Sequence, residues 1–160
     1  MSKVNQIQQA LLELSGGKFQ TLADAYLKES GYDRVNSIGS VIGSDKAKAG
    51  TPDTLITLPN GNYIFAEHTT KQDGLKGKIR DDIKKCLDDQ ETGVPTEKIE
   101  RLIFCFTADL DAEQENELAE MCREEGVSLE LLGIDSISFD LYQNYPGLAR
   151  DFLGVEIDTG

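Results

Sequence analysis

The sequence predicts an α/β fold, a mixed sheet flanked by helices. Three observations predict it. Apolar residues recur at helical spacing in several separate segments. An Asn-Gly pair at Asn60-Gly61 joins two β-rich runs as a hairpin. A continuous apolar run, Arg101 to Thr107 (RLIFCFT), fits a strand buried on both faces.

Taken in order, Val4, Ile7, Leu11, Leu12 and Leu14 mark an amphipathic helix over residues 3–14, ended by Ser15-Gly16-Gly17 with glycine as a left-handed cap. Phe19, Leu22, Ala23, Tyr26 and Leu27 mark a second helix, stopped at Ser30-Gly31. Tyr32 to Ile38 is a short strand. Residues 39–51 (GSVIGSDKAKAGT), rich in Gly, Ser and Lys, read as a mobile loop. Asp53 to Leu58 and Asn62 to Thr70 are the hairpin strands around Pro59-Asn60-Gly61-Asn62. Leu75, Ile79, Ile83, Cys86 and Leu87 give a helix of about four turns that ends before Thr92-Gly93. After the apolar strand, a helix spans 111–125 with Asp111 as N-cap and acids in its first turns. Gly126 ends it, Val127 to Leu132 forms another strand, and short helices follow at Ile134 to Tyr142 and Leu148 to Leu153. The expected order is α-α-β-β-β-α-β-α-β-α. An antiparallel three-strand start, a crossover helix and parallel returning strands then make the sheet mixed.

The 160 residues suit one domain. No apolar run approaches the roughly 20 residues of a membrane span. The opening MSKVNQIQQALLEL lacks a signal-peptide pattern, so a cytoplasmic location is expected. Cys86, Cys105 and Cys122 are odd in number, widely spaced and set among apolar residues, which fits buried reduced thiols. With His68 as the one histidine, a zinc cluster is not expected.

The formal net charge of −13 argues at first against a nucleic-acid partner. Its distribution changes that. Residues 46–85 hold 8 bases against 5 acids, whereas residues 86–160 hold 19 acids against 4 bases. The basic excess coincides with the residues that carry chemistry. Asp53 opens the first hairpin strand and Glu67 lies near the end of the second. Side chains alternate along a strand, so Glu67, Thr69 and Lys71 share a face if the strand stays regular. The hairpin folds Asp53 back beside them. Two carboxylates and a lysine converge, and oxygen ligands without His or Cys suit a hard cation such as Mg²⁺. Such an ion activates water and offsets charge on a phosphoryl group.

Pro52-Asp53, then Glu67, then Lys71, in an α-β-β-β-α-β context, resembles the PD-(D/E)xK superfamily of restriction endonucleases and Holliday-junction resolvases. Gly17-Lys18-Phe19-Gln20-x-Leu22, with Tyr26-Leu27 and Gly31-Tyr32, resembles the first helix of its Mrr-like branch. Gly50-Thr51-Pro52-Asp53 and Phe65-Ala66-Glu67-His68-Thr69-Thr70 resemble the N-terminal nuclease-type domains of STAND-type anti-phage defence proteins. The resemblance covers roughly residues 17–107. It implies a restriction-endonuclease-like mixed sheet with a core over about 17–132, in a chain that is the N-terminal part of a longer protein. It implies a Mg²⁺-dependent DNA endonuclease, with Mn²⁺ as a substitute ion and assembly into a homo-oligomer through the parent protein. Asp53 and Glu67 would hold the metal, with the main-chain carbonyl of His68, and Lys71 would complete the catalytic set. The family lysine falls at Thr69 in this chain, and the helix-one glutamate of many relatives falls at Gln20. Gln20, Lys46, Lys48, Thr69, Gln72 and Lys78 would face DNA.

Each residue also has a plainer reading. Asp53 could be a turn residue, Glu67 could pair with Lys71, and Lys71 or Gln72 could be surface side chains. His68 points away from Glu67 by strand parity and reads as packing or hydrogen bonding. Lys46, Lys48 and Lys78 could be solvated, and the helix bearing Lys78 could be laced by pairs such as Asp81–Lys85. Thr69 and Gln20, both neutral, keep open an alternative in which the fold is catalytically degenerate and serves oligomerisation or docking. A flavodoxin-like nucleotide site is less favoured, because the glycines of residues 39–50 do not form GxGxxG between a strand and a helix.

Overall fold

A computed structural model of the chain describes residues 1–38 and 52–158. The loop expected over 39–51, with Lys46 and Lys48, lies outside the described residues.

Serines open the first two helices, α1 (Lys3–Leu12) and α2 (Gly16–Glu29). Ser2 Oγ accepts the Asn5 N–H at 3.1 Å and Ser15 Oγ accepts the Lys18 N–H at 3.3 Å, each occupying a donor that the first turn leaves unpaired. This corrects the expected boundary. Gly16 and Gly17 do not close α1 but form the first turn of α2, and neither takes a positive φ. The capping hydroxyl of Ser15 decides the matter.

β1 (Val35–Asn36) is only two residues long, shorter than the stretch expected from Tyr32 to Ile38. The hairpin strands are β2 (Thr54–Thr57) and β3 (Tyr63–Thr69), turned through Gly61 at φ 90°. α3 (Leu75–Cys86) starts after Gly74, whose φ of 67° lets the chain swing from strand to helix. The long helix expected up to Thr92 is divided. Asp88 accepts the Gln90 N–H and opens a separate turn, α4 (Asp89–Thr92). A 3₁₀ turn over Thr96–Lys98 leads into β4 (Ile99–Phe106). α5 (Ala112–Arg123) has its expected cap, with Asp111 and Gln114 each accepting the other's backbone N–H. β5 (Ser128–Leu132), α6 (Ile134–Gln143) and α7 (Pro146–Leu153) complete the chain.

The sheet order follows the chain, β1-β2-β3-β4-β5. The first two pairings are antiparallel and the last two parallel. The α/β class and mixed sheet expected from the sequence are both present. α3 and α5 make the two crossovers and pack on one face with Phe65, Leu102, Phe104 and Phe106. α1, α2, α6 and α7 cover the other face with Ile64, Ala66, Ile103 and Cys105. Both faces of β4 are therefore buried, which is why its sequence is continuously apolar. All three cysteines are buried and unpaired. Among the described residues no helix is long and apolar enough to cross a membrane.

Alternation along β3 places its two functional candidates on opposite faces. Phe65 and Glu67 look toward α3, and Ile64, Ala66 and His68 toward α2. Phe104 is 1% exposed at the centre of the α3 face. Phe104→Ala is expected to cost about 3–5 kcal/mol in a urea titration, through the lost transfer energy and the cavity left behind.

Candidate active site

The site lies where the β2–β3 ladder ends. The last paired residues are Thr54 and Ala66, so Asp53 and Glu67 stand opposite one another one step further along. There the carboxylates take the backbone donors. Glu67 Oε2 accepts the Asp53 N–H at 2.7 Å, and Asp53 Oδ2 accepts the His68 N–H at 2.9 Å. The two acids are thus held side by side by each other's strand. The main-chain group of His68 that meets Asp53 is its N–H, where the sequence reading had offered its carbonyl to a metal.

Glu67 is 5% exposed. Burial pushes its carboxyl up, the adjacent Asp53 charge adds to this, the Asp53 N–H partly offsets it, and Asp82 raises it further. The result is about 8. Ionising Glu67 in the folded protein therefore costs several kcal/mol that a nearby cation would return.

Strand parity does not bring Lys71 to Glu67. β3 stops at Thr69, and the Lys71 N–H turns back onto Thr69 Oγ1 at 3.1 Å. Parity therefore no longer holds at Lys71. Its side chain is exposed, and its Cε lies 3.7 Å from where a Cβ on Gly74 would stand. Thr69, at the expected lysine position, is occupied in forming this turn. The ammonium in the field of Glu67 and Asp53 is instead that of Lys78, on α3. Its Nζ lies 3.0 Å from Asp82 Oδ2 and 3.3 Å from Oδ1. Burial works against the charge on Lys78, but Asp82 outweighs it and raises its pKa. Asp82 itself is 6% exposed. An exposed i,i+4 pair adds only about 0.2–0.5 kcal/mol to a helix, whereas burying a carboxylate costs several kcal/mol. Helix stability therefore does not account for Asp82. Elsewhere on α3, Lys76 pairs with Glu117 and Arg80 with Asp81, where Asp81–Lys85 had been expected.

The remaining candidates are placed apart from the two carboxylates. Gln72 Nε2 donates to the Thr107 carbonyl at 2.8 Å and to Thr107 Oγ1 at 3.2 Å, tying the end of β3 to that of β4. Its amide is used within the chain. Gln20 lines a cavity of about 440 Å³ with Gly17, Thr21, Asp24, Lys28 and Ser37, and its Nε2 is buried without a partner. On that face His68 Nε2 donates to Asp24 Oδ1 at 3.1 Å. Thr54 donates to the same oxygen at 2.5 Å, and Ser37 donates to Asp24 Oδ2. Burial would lower the pKa of His68, but the Asp24 carboxylate and the neighbouring Cys105 overcome it and hold the imidazolium up to about 10. Burial would likewise raise Asp24, yet its hydrogen bonds to His68, Ser37 and Thr54 keep its carboxyl low. This ion pair pins α2 to the sheet. Sequence reasoning missed Asp24 and Asp82. Their signals were present: an acid inside the apolar LADAYL stretch of α2, and Lys78–Asp82 at helical i,i+4 spacing.

In comparisons with known proteins, no family model and no curated protein matches the chain. The residues must therefore speak for themselves. Among the described residues no group of three or more His, Cys, Asp or Glu side chains comes together to hold a metal. What fits Asp53 and Glu67 is a hard ion held by two carboxylates, with water and substrate oxygens completing its shell. Each acid commits one oxygen to a backbone N–H, and the two side chains also bond to each other.

The Glu67 shift has a definite sign for stability. The unfolded carboxyl titrates near 4.5 and the folded one near 8, so stability falls as the pH rises between those values. Glu67→Gln, which mimics the protonated acid, is expected to leave stability nearly unchanged at pH 5. At pH 9 it should raise stability by on the order of 4 kcal/mol. Thermal unfolding of both chains at the two pH values measures this.

Proposed function

We propose that this chain is a metal-dependent DNA endonuclease domain of restriction-endonuclease-like fold, an effector module in bacterial anti-phage defence. The observation that carries the reading is the cross-strand pair Asp53–Glu67, with Glu67 buried beside another carboxylate at the end of the hairpin. The element order supports it, since a helix, an antiparallel three-strand unit, a crossover helix and a parallel strand match the core implied by the PD-(D/E)xK resemblance.

Asp53 and Glu67 would hold Mg²⁺, or Mn²⁺ in its place, and Glu67 would do so in its ionised form. When bound, the ion supplies positive charge against the scissile phosphoryl group and a water of lowered pKa. Lys78 meets a phosphate oxygen and stabilises charge that grows there. Lys71, beyond the strand end, is left to contact the DNA backbone with the other surface cations. Thr69 shapes the turn that carries Lys71. A chain of net charge −13 binds DNA weakly by itself, so assembly of several copies through the parent protein supplies avidity. The acidic half lies in residues 86–160, away from the hairpin in sequence, and leaves the basic segment to face the substrate.

One observation favours a second reading. Thr69 occupies the expected lysine position and its hydroxyl is committed to the chain, as in a degenerate fold kept for docking or oligomerisation. Supercoiled plasmid separates the two. The nuclease reading expects nicking that requires Mg²⁺ or Mn²⁺ and falls by on the order of 10²–10³-fold in Asp53→Ala. No metal-dependent cutting, together with no Mg²⁺ binding by calorimetry at millimolar concentration in the folded chain, favours the docking module.

A further inference from the structure

We infer that Asp24 is a positioning residue for the acid pair: from the opposite face of the sheet it clamps together the two strand ends that carry Asp53 and Glu67. The inference rests on the reading of those acids as the cation site and adds what keeps them face to face.

An unbroken series of contacts carries it. The β2–β3 ladder ends at Thr54 opposite Ala66, so the next rung, Asp53 opposite Glu67, is closed by side chains instead. The residues flanking that rung, Thr54 on β2 and His68 on β3, both reach Asp24 on α2. Thr54 Oγ1 donates to Asp24 Oδ1 at 2.5 Å and His68 Nε2 donates to the same oxygen at 3.1 Å. Thr54 Oγ1 and His68 Nε2 lie 3.1 Å from each other. Ser37 donates to Asp24 Oδ2 and so fixes the orientation of the carboxylate. His68 then returns to the site through its main chain, its N–H donating to Asp53 Oδ2 at 2.9 Å. One oxygen of Asp24 thus grips β2 just inside the acid pair and β3 just beyond it. Anchoring α2 needs only one of these strands; bonding both to one atom ties them to each other. The grip is dry, with Asp24 6% exposed, Thr54 0% and the His68 side chain 1%. Water does not compete well for hydrogen bonds so placed. Strand ends otherwise open locally, and two carboxyls set side by side favour that opening.

Amide hydrogen exchange of the full chain, read by NMR, tests the clamp without reference to activity. Thr54→Val removes the hydroxyl and keeps the side-chain shape. In it the Asp53 and His68 amides are expected to exchange about tenfold faster than in the wild type, beyond any change at the Phe104 amide in the middle of β4. Asp24→Ala should exceed this, and Thr54→Ser should restore wild-type rates. Calorimetry with Mn²⁺ should show binding weakened about three- to tenfold in Thr54→Val and recovered in Thr54→Ser. If the two amides keep their wild-type rates, or quicken only by the factor seen at Phe104, Asp24 anchors a helix and nothing more, and the inference is overturned. Faster exchange at both amides with unchanged Mn²⁺ affinity overturns it as well. If both amides respond as expected but the wild-type chain binds no Mn²⁺, the cation reading fails while the clamp stands. Should Asp24→Ala lose the fold, Thr54→Val, which leaves the Asp24–His68 pair in place, decides alone.

Discussion

Two acids meet where an antiparallel ladder runs out, and most of what is distinctive in this chain follows from that meeting. Inside the ladder, backbone donors and acceptors satisfy one another. At its end the donors of Asp53 and His68 would be left over, and the side chains of Glu67 and Asp53 accept them. The geometry is therefore built from the strands themselves rather than from flexible loops. Its cost is electrostatic: a carboxyl buried beside another is pushed toward its neutral form. Sites that hold groups against their preferred ionisation are common where chemistry is done.

The sheet separates two kinds of ionic work. On the α3 face, Asp53 and Glu67 lie side by side, and Asp82 is paired with Lys78. On the α2 face, Asp24 and His68 are matched, and Thr54 and Ser37 complete the acceptor shell of the carboxylate. The second cluster is balanced and locks a helix to the sheet. The first sets two carboxyls side by side, which burial pushes apart in ionisation. Both hang from neighbouring residues of one strand, so the placement of β3 sets each of them. Its burial between two helical layers makes that placement rigid.

Much of this was legible in the sequence. The RLIFCFT run announced a two-face strand, Asp111 announced its helix, and Asn60-Gly61 announced the hairpin that brings Asp53 to Glu67. Parity also put His68 on the face opposite Glu67. What was not legible depended on competition between local signals. Ser15 could end α1 or open α2, and a hydroxyl seeking the Lys18 N–H settled it. Asp88 similarly split one helical stretch in two. The parity argument for Lys71 does not hold for a related reason: period-two counting applies only while the strand lasts, and Thr69 ends it by capping Lys71. Lys78 lies in a helix, where strand counting says nothing of its partner, which is Asp82 one turn on.

The account stands on the protonation of Glu67. With glutamate labelled at the carboxyl carbon, the ¹³C signal of Glu67 can be followed by pH titration with and without Mg²⁺. The account predicts a midpoint near 8 in the absence of metal, moving down as Mg²⁺ is added, with no such movement in Asp53→Asn. A midpoint near 4.5 that Mg²⁺ leaves in place would contradict it.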